Sequence, residues 1–103
     1  MQLVLGKRYR SVTCETEVIA VRVPDGDMDL RCGGEPMVAA DESTQGASQP
    51  IVAGLDGGSV IGKRYASPEG DLELLCCKAG AGTLSAGNTP LPLRQAKPLP
   101  SSD

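Results

Sequence analysis

A five-residue string occurs twice in this chain and constrains most of what it can fold into. Leu5-Gly6-Lys7-Arg8-Tyr9 recurs as Ile61-Gly62-Lys63-Arg64-Tyr65. Only the first position differs, by one branched aliphatic for another, and the two Tyr are the only aromatic residues in the 103-residue chain. A repeated segment implies a repeated structural unit, each copy too small to bury its own apolar face.

Further correspondences follow in order. Val18-Ile19-Ala20-Val21-Arg22-Val23 aligns with Leu72-Glu73-Leu74-Leu75-Cys76-Cys77. Gly26 then aligns with Gly80, Leu30 with Leu84, Gly33 with Gly87, Pro36 with Pro90 and Met37 with Leu91. On this alignment the second copy lacks two residues between its Tyr and its first apolar strand. Each copy reads as a Gly-Lys-Arg-Tyr entry, a turn, an apolar strand, a Gly-containing reversal and a short second strand. The reversals are Pro24-Asp25-Gly26-Asp27 and Ala79-Gly80-Ala81-Gly82. Val18 to Val23 is rich in β-branched residues, which favours a strand. Leu72 to Cys77 is read as a strand because it is short, bounded by Gly and equivalent to Val18 to Val23.

Hydrophobic residues make up 40% of the chain, yet Trp and Phe are absent. The core must therefore come from Val, Leu, Ile, Met and Cys, with the two Tyr. The 13 Gly and 8 Pro suit short strands and tight turns better than helices. A unit of about 35 residues cannot sustain a core alone, so the two copies are expected to pack together and share one. The organisation expected is a first β module at residues 1–38, a linker at 39–60, a second β module at 61–93 and a Pro-rich tail at 94–103. Ile51, Val52 and Leu55 are the linker residues able to pin it to the surface. The tail is expected to be extended or disordered.

The net charge of −3, with Lys and Arg scattered, argues against nucleic acid as a partner. No apolar stretch has the length of a membrane span, and the apolar start is too short for a secretory signal. The cytoplasm is the expected location, where thiols stay reduced or bind metal. The chain has no His, so neither Ser-His nor Cys-His nucleophile systems can assemble. No enzymatic activity is expected. Asp25, Asp27 and Asp29 read as a solvated turn.

Cys14 and Cys32 lie in the first copy and have no Cys at the equivalent places in the second. Loss of both together suggests that they are used together. Gly6-Lys7-Arg8-Tyr9, the Cys14 turn, the Val-rich strand, the Gly turn and Cys32-Gly33-Gly34-Glu35-Pro36-Met37 resemble desulforedoxin and the N-terminal domain of desulfoferrodoxin. The resemblance covers Leu5 to Val38, and reaches Ile61 to Leu91 only through the internal repeat. It implies an all-β fold of two small desulforedoxin-like β modules packed as an intrachain pseudo-dimer. In that family four thiolates hold one iron. Here Ser11 stands at the first knuckle position, Cys14 at the second, Cys32 at the first of the closing pair and Gly33 at the second.

The resemblance makes Cys14 and Cys32 the candidate metal ligands, for zinc or iron, with Glu15 or Glu35 near enough in sequence to complete a zinc site. With two of four ligands gone, the expectation is a relic fold without a cofactor. Cys14 and Cys32 would then be two buried small side chains or a redox-labile pair. Cys76 and Cys77 read as structural, on opposite faces of a strand. The function expected is a small non-enzymatic accessory or interaction module, docking on a larger protein or on itself by sheet-edge addition. The alternative is a small metal-binding or thiol-redox protein that uses Cys14 and Cys32. Neither nucleic acid nor membrane is an expected partner.

Overall fold

The computed structural model describes residues 2–40, 49–67, 70–87 and 89–93. Burial along the first long strand alternates as a half-covered sheet requires: Val18 and Ala20 are fully buried, Ile19 is half-buried and Val21 is exposed. This strand, β2 (Glu17–Arg22), pairs with β1 (Arg8–Arg10), so that Tyr9 lies opposite Val18. Then come β3 (Leu30–Cys32) and β4 (Glu35–Pro36), a hairpin whose two-residue turn is Gly33-Gly34. Both glycines have positive φ, 66° and 91°, as such a turn demands. β5 (Val38–Ala39) returns to pair with β1.

The second half repeats the scheme with β6 (Arg64–Ala66), β7 (Glu73–Lys78), β8 (Leu84–Ala86) and β9 (Thr89–Pro90). One sheet has the order β5-β1-β2-β7-β6, the other β4-β3-β8-β9, and every neighbouring pair is antiparallel. Both sheets therefore join the halves at their centres, through β2 with β7 and β3 with β8. The fold is all-β, and among the described residues there is no helix, hence none long and apolar enough to cross a membrane.

Two sequence expectations need correction. The Gly-containing reversals after β2 and β7 do not close hairpins. They carry the chain from one sheet to the other, because the free edge of β2 is taken by β7 and that of β3 by β8. The alignment of the copies also shifts. Tyr65 lies opposite Leu74, as Tyr9 lies opposite Val18, so Val18 corresponds to Leu74 and not to Leu72. Ala20 and Val21 correspond to Cys76 and Cys77. The two missing residues are lost from the crossover, residues 79–83 against 23–29, and not from the turn after the Tyr.

Local hydrogen bonds follow the corrected match. Ser11 N–H donates to Thr16 C=O as Ser67 N–H does to Leu72 C=O, at 2.9 and 3.0 Å. The Tyr9 hydroxyl accepts from Val4 N–H at 2.8 Å, and that of Tyr65 from Val60 N–H at 2.9 Å. This explains why the only aromatics recur in register: a buried phenol needs a polar partner, and the entry turn supplies one. Arg8–Glu17 and Arg64–Glu73 form equivalent ion pairs, at 3.8 and 3.2 Å.

The buried apolar side chains make one cluster drawn from both halves, including Tyr9, Val18, Leu30 and Met37 with Leu72, Leu74, Leu84 and Leu91. Burial of each such side chain stabilises the fold by roughly 1.5–3 kcal/mol. The segment before the second entry is tied to both halves. Val52 N–H donates to Gly33 C=O at 2.8 Å, and Leu55 C=O accepts from Thr83 N–H at 2.9 Å. The expected Pro-rich tail at 94–103 and the part of the expected linker at 41–48 lie outside the described residues.

Candidate functional site

The turn between β1 and β2 carries Cys14, and the end of β3 carries Cys32. Their Sγ atoms lie 3.8 Å apart, Cys14 half-buried and Cys32 fully buried. The turn is built around Ser11, whose Oγ accepts the N–H groups of Thr13 and Cys14 at 3.0 and 3.2 Å. Thr13 Oγ1 donates to Cys32 C=O at 3.1 Å, which locks the turn onto β3. The structure thus brings together Ser11, Cys14, Cys32 and Gly33, the four positions that the desulforedoxin resemblance assigns to ligands.

The surroundings of Cys14 come from three segments. Its Sγ lies 3.5 Å from Ser11 Oγ, 3.2 Å from Thr16 Oγ1 and 3.3 Å from the donating N–H of Gly82. Thr16 Oγ1 in turn donates to Ser59 Oγ at 3.2 Å, and Ser59 Oγ donates to Gly82 C=O at 2.8 Å. The result is a closed ring, Cys14–Thr16–Ser59–Gly82–Cys14. Each hydroxyl has one hydrogen to give. While Cys14 is a thiol its S–H donates into the ring. When it ionises, the Ser11 and Thr16 hydroxyls turn their hydrogens onto the sulfur.

Burial pushes the Cys14 thiol up, but the hydrogen bonds of Ser11, Thr16 and Gly82 outweigh it and pull the pKa down to about 6. Cys32 goes the other way. Its burial is deeper and the neighbouring Cys14 sulfur repels a second charge, so its pKa is pushed up to about 12. One thiolate beside one thiol is the state this arrangement favours at neutral pH.

Gly80 and Gly82, from the second half, close over the sulfurs. A Cβ at Gly82 would stand 3.0 Å from Cys32 Sγ and 3.1 Å from Cys14 Sγ. A Cβ at Gly80 would stand 2.3 Å from Thr16 Oγ1 and 2.9 Å from Cys14 Sγ. A side chain at Gly80 would force its neighbours to shift, and one at Gly82 would press on both sulfurs. Thr16, Ser59, Gly80 and Gly82 are the site residues that reasoning from sequence missed, because three of them lie far from both cysteines along the chain.

A closed four-ligand metal site does not fit these residues. Among the described residues no group of three or more Cys, Asp or Glu side chains converges, so Glu15 and Glu35 do not complete the pair. Gly33 has a φ of +66°, and a Cβ there would meet Thr13 Oγ1 at 2.3 Å, so no side chain fits at the fourth ligand position as it stands. Cys76 is buried in β7, and half-buried Cys77 donates its S–H to Glu17 C=O at 3.3 Å. Burial raises the pKa of both, which leaves them neutral thiols. An open depression of about 380 Å³ lined by Lys7, Arg8, Glu17 and Ala40 includes no cysteine.

No protein-family model matches the chain, and comparison with curated proteins and with solved structures gives no match. The desulforedoxin resemblance rests on the motif residues alone.

Proposed function

We propose that this is a small non-enzymatic accessory protein, a degenerate tandem desulforedoxin-like fold whose halves form an intrachain pseudo-dimer, and that its working part is a redox-active Cys14–Cys32 dithiol. The carrying observation is the 3.8 Å Sγ–Sγ separation of two cysteines that only one half retains. A disulfide needs about 2.0 Å, and a side-chain rotation with a small shift of the turn would bridge the rest. Sulfur placed this way has a use in either redox state without any metal. In a reducing cytoplasm the pair would rest as a dithiol and oxidise transiently. The accessory reading draws support from Leu5 and Ile61, which hold equivalent places in the two entry turns and are 64% and 61% exposed. Apolar side chains presented twice at the surface suit contact with a larger protein or a second copy.

The competing reading is a zinc or iron protein, with Cys14 and Cys32 supplying two donors. It would need the remaining donors from outside the described residues or from another chain. A thiol-trapping titration in glutathione redox buffers separates the two. The dithiol reading predicts one reversible disulfide, mapped by mass spectrometry to Cys14 and Cys32, with Cys76 and Cys77 trapped free. Failure of the pair to bridge at any oxidant ratio, or bridging through Cys76 or Cys77 instead, would overturn it.

A further inference from the structure

The two sulfurs differ in what can reach them. Cys14 is half-buried on the turn between β1 and β2, so of the two residues it is the one with surface open to an incoming group. Cys32 has no exposed surface. It lies behind Cys14 and beneath Gly82, whose missing side chain leaves no more than contact distance above both sulfurs. The Ser11 and Thr16 hydroxyls act on both sulfurs, but on Cys32 deeper burial outweighs them, and the Gly82 N–H serves Cys14. Ser11 Oγ, Thr16 Oγ1 and Gly82 N–H all lie within 3.5 Å of Cys14 Sγ, where they hold negative charge on an attacking sulfur. Thiol–disulfide exchange needs an accessible thiolate to enter and a second thiol within reach to resolve the adduct. The second requirement is met by the 3.8 Å separation.

From this arrangement we infer that Cys14 is the entry thiol and Cys32 the resolving thiol for exchange with an external disulfide. The inference rests on the dithiol reading above and adds the order of steps and the class of reactant. The Cys14 thiolate attacks one sulfur of R–S–S–R′. A Cys14–S–S–R bond forms, the external S–S bond breaks, and R′–S⁻ leaves and takes up a proton from water. Cys32 then gives up its proton to water and attacks Cys14 Sγ, breaking the Cys14–S–S–R bond. The Cys14–Cys32 bond forms and R–S⁻ leaves. The external disulfide gains two electrons and the dithiol loses two.

The test uses the full-length reduced protein with bis(2-hydroxyethyl) disulfide as a small probe and insulin as a protein disulfide. Quenched samples are mapped by mass spectrometry. The Cys32→Ser variant is expected to accumulate a stable mixed disulfide at Cys14, at least about tenfold faster than Cys14→Ser accumulates one at Cys32. Short-time mapping of the unaltered protein needs no variant to fold, and is expected to show its first adduct on Cys14. Reaction with the small probe alone would identify a low-molecular-weight disulfide as the reactant, and reaction with insulin a protein disulfide. A first adduct on Cys32, while the Cys14–Cys32 bridge still forms, would overturn the order and leave the dithiol reading standing. Absence of any Cys14–Cys32 bridge would overturn both.

Discussion

The turn at residues 11–16 and the turn at residues 67–72 share a frame and differ in everything it holds. Both start at a Ser whose N–H donates to the carbonyl five residues on, and both deliver a fully buried residue to the head of a central strand, Thr16 in one and Leu72 in the other. In the first turn, Ser11 Oγ gathers two backbone N–H groups and lies beside Cys14. In the second, Ser67 Oγ accepts from Leu72 N–H at 3.2 Å and donates to Asp71 Oδ1 at 2.7 Å, and Gly70 stands in place of Cys14 with a φ of +80°. Ala86 stands in place of Cys32. The frame is thus what the fold requires, and the sulfur site is an addition that one half keeps. The difference also assigns the halves distinct parts. The first supplies the sulfurs, while the second supplies the glycine loop that closes over them.

The comparison breaks most sharply at the buried residue that ends each turn. Leu72→Ala is expected to cost about 2–5 kcal/mol in urea unfolding, since it empties a fully buried leucine site. Cys14→Ser at the edge of the other turn should cost less than about 1 kcal/mol at pH 6 or below, where the Cys14 thiolate adds no stability. Equal costs would mean that the sulfur site is itself part of the frame.

The crossovers give the next largest effect. Gly80→Ala forces a methyl to within 2.6 Å of Thr16 N, and is expected to cost about 1–3 kcal/mol and to slow alkylation of Cys14. Gly26→Ala in the other crossover meets nothing within 4 Å. Its φ of +82° alone should cost roughly 1 kcal/mol, with Cys14 unaffected.

A pH series sharpens the contrast between the two sulfurs. The Cys14 pKa is depressed on folding, to about 6 from 9.0, so its contribution to stability is present above pH 9 and is lost as pH falls toward 6. That of Cys32 is raised to about 12, so its contribution is present below pH 9 and is lost as pH climbs toward 12. Stability should therefore rise from pH 6 to 9 and fall beyond it. Cys14→Ser should flatten the rising limb, and Thr16→Val should move the alkylation midpoint of Cys14 upward by removing one donor. The smallest effect is expected at Ser85, whose buried Oγ has no hydrogen-bond partner among the described residues. Ser85→Ala should be neutral or stabilising by up to about 1 kcal/mol.

The repeat was legible in the sequence because Gly-Lys-Arg-Tyr is retained where chemistry demands it: a positive-φ turn glycine and a buried phenol bonded to the chain five residues earlier. The strand class was legible from the short apolar runs. Their register was not. Val18 to Val23 and Leu72 to Cys77 are both mostly apolar, each with a single charge, Arg22 or Glu73, at a different place, so hydrophobicity alone does not fix the match, and the pairing of each Tyr with Val18 or Leu74 does. The crossovers were misread because a glycine turn looks the same locally whether or not its strands pair. Whether they pair is decided by the other half of the molecule. The meeting of Cys14 and Cys32 came from the resemblance. Their covering by Ser59, Gly80 and Gly82 depends on contacts distant in sequence, which no local pattern announces.

The central claim is that these sulfurs form a metal-free dithiol. Elemental analysis of untagged protein purified without chelator, with a thiol count on the same reduced sample, tests it most directly. The account predicts all four cysteines free, no stoichiometric zinc or iron, and loss of two thiols, Cys14 and Cys32, on mild oxidation. One zinc or iron per chain or per pair of chains, abolished by Cys14→Ser and by Cys32→Ser, would contradict it.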